Sequence, residues 1–140
     1  MSTILRRKLH LQLISDSFRY KHNPLNFETF DSLVVPSGSS AAALVQAKLP
    51  NSKVLKAFKT TFAATLATKQ VGGLQTTVLI AGDDTDAKAA LAAAVTAGGV
   101  AAIDAGSLAR AHELEALGFL QLTPAVVEKI AWTGGFAVAR

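Results

Sequence analysis

The stretch TTVLIAGDDTDAKAALAAAVTAGGVAAID, Thr76 to Asp104, decides the fold. Its first part, Thr76 to Ala81, is β-branched and apolar and predicts a strand. Gly82-Asp83-Asp84 turns the chain, and Asp83 or Asp84 caps a helix over Ala87 to Ala97, where acids in the first turn suit the helix dipole. Gly98-Gly99 stops that helix, and Val100 to Ile103 is the next strand. The stretch therefore reads as one β-α-β unit, whose two strands run parallel because a helix must carry the chain back.

Working outward, Val54 to Phe58 is short, apolar and flanked by lysines, as a buried strand would be. A helix is expected over Phe62 to Thr68, followed by a turn at Gly72-Gly73. Upstream, Pro36-Ser37-Gly38-Ser39-Ser40 offers an N-cap for a helix over Ala41 to Leu49 that closes before Pro50-Asn51. Leu25 to Val35 reads as an ordered surface loop anchored by Phe27 and Phe30. Downstream, Ser107 opens a helix with Leu108, Ala111, Leu114, Leu117 and Leu120 at three-residue spacing. Thr123-Pro124 predicts a second helix start, with proline at the first helical position. Gly134-Gly135 then turns into an edge strand over Phe136 to Ala139. Strands alternating with helices imply an α/β fold, a doubly wound parallel sheet with flanking helices and right-handed crossovers.

At 140 residues the chain supports one ordinary core. Half of it is apolar but only 6% is aromatic, which favours thin, closely packed helices. The formal charge of +4 is localised. Arg6, Arg7, Lys8, Arg19 and Lys21 face Asp16 alone in residues 1–22, whereas the rest carries nine basic and nine acidic side chains. The basic character thus belongs to a leader, 1–22, that either forms a short strand at Leu9 to Ile14 or stays disordered. No basic stripe with stacking aromatics argues for nucleic acid. The absence of cysteine excludes thiolate catalysis, thiolate metal sites and disulfides, and no other metal-ligand spacing is visible. No run approaches the length of a membrane span, and the start is too interrupted for a secretory signal, so a cytoplasmic protein is expected.

Ligands of parallel sheets bind beyond the carboxyl ends of the strands, which points to Lys59-Thr60-Thr61, Gly82-Asp83-Asp84 and Asp104-Ala105-Gly106. The two carboxylates at Asp83 and Asp84 would repel phosphate, so this turn is either a helix cap or an unusual ligand loop. Asp104 to Ser107 carries the same alternatives. Arg110 and Glu113 pair on a helix surface, and His112 beside them is a lone surface histidine. Trp132 either walls a planar ligand or packs at the domain edge. Neither Gly-x-Gly-x-x-Gly nor a Walker lysine motif occurs.

Asn23-Pro24-Leu25-Asn26-Phe27, Lys56-Ala57-Phe58-Lys59-Thr60, Ile80-Ala81-Gly82-Asp83-Asp84 and Asp104-Ala105-Gly106-Ser107-Leu108-Ala109-Arg110 through Leu114-Glu115 together carry a resemblance. In these blocks residues 23–140 resemble the C-terminal part of the NADPH-dependent deazaflavin (coenzyme F-420) reductases and their NAD(P)-binding oxidoreductase relatives. The resemblance implies an incomplete Rossmann-like sheet and hydride transfer between NADP(H) and a coenzyme F-420-type acceptor, with the cofactor doing the chemistry. It implies no catalytic side chain. Asn23, Pro24, Phe58 and Thr60 would line the cofactor, and Trp132, Thr133, Gly134 and Gly135 the acceptor. Lys59 departs from the family pattern, which has asparagine there. Residues 1–22 do not resemble the family's glycine-rich dinucleotide half, so weak or no activity alone is expected. The alternative is a non-catalytic interaction or dimerisation module whose apolar faces, Ala89 to Ala94 and Leu108 to Leu117, are left exposed. A third reading places the N-terminal half on a separate polypeptide.

Overall fold

A computed structural model describes residues 28–29 and 35–140. The leader 1–22, the strand expected at Leu9 to Ile14, Asn23-Pro24 and most of the loop from Leu25 to Val35 lie outside the described residues. The elements are α1 (Ala41–Lys48), β1 (Leu55–Lys56), α2 (Ala63–Thr68), β2 (Gln70–Val71), β3 (Leu74–Gln75), β4 (Thr77–Gly82), α3 (Thr85–Ala97), β5 (Ala101–Gly106), a 3-10 turn (Leu108–Arg110) and α4 (Ala111–Val126).

The β-α-β unit forms as the sequence dictates. β4 and β5 pair in parallel from Thr77 opposite Ala101 to Ile80 opposite Asp104, and α3 carries the chain between them. Asp84 caps α3 by accepting the Ala87 N–H at 2.7 Å, and Gly98 ends it. An N-cap of this kind contributes about 1 kcal/mol. Asp84→Ala is therefore expected to lower the unfolding free energy by about that much, read from urea denaturation, and an unchanged midpoint would remove the cap from the account.

The sheet is mixed, a correction to the all-parallel expectation. β1 adds antiparallel to β4, with Leu55 opposite Gly82 and Lys56 opposite Ala81, giving the order β1-β4-β5. β1 is also shorter than Val54 to Phe58, because Phe58 leaves the ladder with φ +63. A bulky residue in the left-handed region breaks the extended backbone. β2 and β3 form a separate hairpin around Gly72-Gly73.

Alternation along β4 separates two layers. Val78 and Ile80 pack with Val95 and Val100, joined by Leu91, Phe58 and Leu66, so α3 covers that face. Thr77 and Leu79 point to the other face, toward Leu117 of α4. A second cluster, Ala42, Val54, Leu108 and Ala111, fastens α1 to the start of α4. Thr76 ties α2 to the sheet, its hydroxyl donating to the Thr65 carbonyl at 2.6 Å.

Two C-terminal expectations are corrected. Pro124 starts no new helix; it lies in the last turn of α4, which runs unbroken to Val126. Proline there removes the N–H that would bond the Leu120 carbonyl, and the Thr123 hydroxyl donates to that carbonyl instead, at 3.4 Å. Phe136 to Ala139 is not a strand. The Phe136 N–H is taken by a side chain, Gln121 Oε1 at 2.6 Å, instead of by a ladder neighbour.

Gly118 is the point of closest approach between α4 and the loop after β1. A Cβ there would lie 2.6 Å from the Lys59 carbonyl oxygen. Gly118→Val is expected to cost about 1–3 kcal/mol through this overpacking, read as a shift in thermal midpoint; a neutral result would mean that the loop moves aside freely.

Candidate functional site

Because β1 runs against β4, the three expected ligand loops do not share one rim of the sheet. Gly82-Asp83-Asp84 and Asp104-Ala105-Gly106 lie at the carboxyl ends of β4 and β5, beside the entry to β1. Lys59-Thr60-Thr61 leaves β1 toward the opposite end, where Thr60 and Thr61 meet Thr77 near the start of β4. Antiparallel pairing alone sends these loops apart.

The first rim borders an open groove of about 750 Å³ between α1, residues 50–54 and the turn that precedes α4. Its carboxylates are engaged in structure. Asp83 accepts the Leu108 N–H at 2.9 Å, and so supplies the cap expected from Ser107, whose side chain makes no such bond. Asp84 caps α3 and pairs with Lys53 at 2.9 Å. Asp104 accepts from the Lys88 ammonium at 2.9 Å and from the Gly106 N–H at 2.8 Å. These two donors, Lys88 first, hold its carboxyl below the usual carboxylate range. A rim with carboxylates at its helix starts opposes a pyrophosphate.

The second rim assembles residues from both expected site groups. Gln121, buried on α4, donates from Nε2 to the Thr60 carbonyl at 3.2 Å and accepts the Phe136 N–H. One amide thus joins the Phe58 to Thr61 loop to the chain following Trp132 to Gly135. Trp132, 48% exposed, meets the Phe62 ring edge-on with centroids 5.0 Å apart. Gly134 closes a turn onto the Ala131 carbonyl at 2.9 Å, and Gly135 passes close to Gln121 with φ +122, a conformation suited to glycine. Thr133 is exposed on that turn. Phe58, by contrast, packs against the Val78 and Ile80 cluster. Asn23 and Pro24 lie outside the described residues.

Between these parts is a small cleft of about 80 Å³ lined by Thr60, Thr61, Val71, Thr77, Leu79 and Leu117, with residues 136–138 across it. Thr77, one of the lining residues, has a buried hydroxyl with no hydrogen-bond partner. A buried hydroxyl left unpaired costs about 1–3 kcal/mol, so its place in a cleft wall is notable.

Behind this rim is a charged pair in the core. Glu115 on α4 is fully buried and Lys56 on β1 is 4% exposed; their Oε1 and Nζ are 3.1 Å apart. Glu115 also accepts the Ala41 N–H at 2.9 Å and the Ala42 N–H at 3.2 Å, while Ser40 accepts from Ala43 at 3.0 Å. The first turn of α1 is therefore capped largely by a residue from another helix. Burial lowers Lys56 to about 8, with Glu115 opposing the shift only in part. Burial lowers Lys59 as well.

Sequence reasoning quoted Glu115 only as the end of a resemblance block, with no role, and did not name Gln121. The usable signal was their position: Ala111, Leu114, Glu115, Gly118, Gln121 and Ala125 form the buried stripe of α4, at the three- and four-residue spacing of a helix face. A polar residue on such a stripe needs a specific partner. The Arg110–Glu113 pair is the exposed i,i+3 contact expected, at 2.7 Å. His112 is half-buried and bonds the Ser39 carbonyl through Nδ1 at 2.9 Å. No group of side chains among the described residues is arranged to hold a metal ion.

No protein-family model matches the chain, and no curated protein is similar to it. A solved structure is similar, that of a candidate F420-dependent NADP-reductase from Arthrobacter sp. FB24. The TM-score is 0.72 and the identity 26%, over 84% of this chain and 55% of that one. The chain thus spans little more than half the length of that protein. The likeness relates the mixed α/β sheet and its flanking helices to a Rossmann-like reductase fold. No helix among the described residues is long and apolar enough to cross a membrane.

Proposed function

We propose that residues 23–140 form the acceptor-side part of an NAD(P)H-dependent oxidoreductase that passes hydride between a nicotinamide and a deazaflavin-type acceptor such as coenzyme F-420. The structural likeness to the F420-dependent reductase carries this reading. The second rim fits the acceptor. It offers an exposed tryptophan for a planar ring, the Thr60 loop, and an unpaired hydroxyl in an adjoining cleft. The first rim does not fit dinucleotide phosphates, because Asp83, Asp84 and Asp104 occupy it and no glycine-rich loop occurs in the sequence.

The nicotinamide would supply the hydride. The chain's own task is orientation: Gln121 holds the Thr60 loop and the segment after Gly135 in one frame, and Trp132 walls the ring. Asn23 and Pro24 are assigned to the nicotinamide side on the family resemblance alone. Lys59 takes the place of a neutral amide on that loop. The expected result is saturable quenching of Trp132 fluorescence by oxidised F-420 at micromolar concentrations, with NADPH alone binding weaker than the usual range of about 1 μM–1 mM. Tight NADPH binding would show that the chain carries a phosphate grip of its own and would sink the weak-alone reading.

A non-catalytic interaction module is the second reading. Leu120, Val126, Val127, Trp132 and Phe136 are exposed toward the C-terminal end, and exposed apolar groups favour association. The row from Leu108 to Leu117 does not contribute as expected, since Leu108, Ala111 and Leu114 are buried. Light scattering that finds a strict monomer at high concentration argues against self-association.

A further inference from the structure

We infer that residues 136–138 act as a displaceable strap over an acceptor subsite whose floor is the Thr77 hydroxyl; the identity of the occupant rests on the hydride-transfer reading above. Three observations converge. First, the segment crosses the face of β4 without joining the sheet, and its anchor is a single side-chain bond, Phe136 N–H to Gln121 Oε1. Second, it follows Gly134-Gly135, where Gly135 holds φ +122, so a backbone pivot adjoins the anchor. Third, Thr77 is only 8% exposed, and its Oγ1 pairs with nothing although the neighbouring Thr76 hydroxyl donates to the Thr65 carbonyl.

A strand that is finished on this face would bury an apolar residue or satisfy the hydroxyl. Thr77 does neither, and the cleft beneath the strap is too small for a ring while Phe136 to Val138 stay in place. Swinging the strap away from Gln121 removes one wall of the cleft and enlarges it. The ring's carbonyl or ring-nitrogen edge would then meet Thr77, a hydroxyl able to donate or accept, between the apolar walls of Leu79 and Leu117. The occupant is thus a flat heteroaromatic with a polar edge, and the closed strap keeps water off the hydroxyl until it arrives.

The chain has no cysteine, so Thr77→Cys installs a single thiol whose reaction with Ellman's reagent reports opening. Labelling is expected to be slow in the otherwise unaltered chain and about tenfold faster with Gln121→Ala or with removal of residues 136–140, as local opening predicts. In the unaltered protein, the Phe136 amide should exchange with solvent at least about a hundredfold faster than the Val78 and Ile80 amides. Equal protection at Phe136, or labelling that neither change accelerates, would overturn the strap. In the otherwise unaltered chain, Thr77→Val, which keeps the side-chain shape and removes the hydroxyl, should weaken binding of oxidised F-420 several-fold. Strap-gated labelling together with F-420 binding that Thr77→Val leaves unchanged overturns the acceptor as occupant. If F-420 binds through Thr77 yet is never reduced by NADPH, the strap and its subsite stand while the hydride-transfer reading falls.

Discussion

Glu115→Ala is expected to lower the stability of the fold by about 3–5 kcal/mol, enough to unfold a domain near the lower end of the usual 5–15 kcal/mol. Two losses combine. Lys56, buried with it, loses its ion-pair carboxylate, and the Ala41 and Ala42 N–H groups lose their acceptor at the start of α1. Urea unfolding of the single variants Glu115→Leu and Lys56→Met and of the double variant separates the two. The double variant should recover part of the loss, because an apolar pair replaces a buried ion pair at little cost. It should not recover all of it, since the α1 N–H groups stay unpaired. A loss below about 1 kcal/mol for Glu115→Ala would contradict the buried carboxylate's role, being no more than an exposed pair is worth.

Stability should also rise with pH in the alkaline range. Burial holds Lys56 at about 8 against an ordinary 10.5. Between those values the folded chain has released the proton while the unfolded chain keeps it. The unfolded state then binds more protons, and the slope of unfolding free energy with pH is positive. At one pKa unit per 1.36 kcal/mol the gain is on the order of 3 kcal/mol across the window. Below about pH 8 Lys56 adds no slope, since both states are protonated. Lys59, lowered by its own burial, acts in the same direction. Urea midpoints should therefore climb from about pH 8 to about pH 10, and Lys56→Met should flatten the climb without abolishing it. A midpoint that falls equally with pH in both proteins would show that Lys56 is not held in a dry site.

The acidic turn illustrates how much a local pattern can say. Asp84 caps α3 and the stretch from Thr76 to Asp104 forms its two parallel strands because each step depends on neighbours a few residues away. The same holds for Ser40 at the start of α1. Pro124 misled because proline favours the first turn of a helix, whereas here it sits in the last turn of α4 and the Thr123 hydroxyl serves the carbonyl that it leaves. The second rim could not be assembled from the sequence, because Thr60, Gln121 and Phe136 are brought together by chain direction and not by spacing. Glu115 lay on a legible stripe, but its partners Lys56, Ala41 and Ala42 are far away along the chain.

By itself, then, the sequence determined the α/β class, the β-α-β unit with its capped helix, and the acidic character of one sheet rim. All of these follow from periodicity, capping and charge, which act over a turn or two of chain. Tertiary structure decided the rest. Antiparallel entry of β1 split the expected ligand loops between two rims, and burial turned Lys56 and Glu115 into an interior pair. Folding the C-terminal segment back onto Gln121 closed a cleft over the Thr77 hydroxyl. The physical reason is common to all three: strand direction, desolvation and long-range hydrogen bonds are properties of what packs against a residue, and no local pattern encodes them.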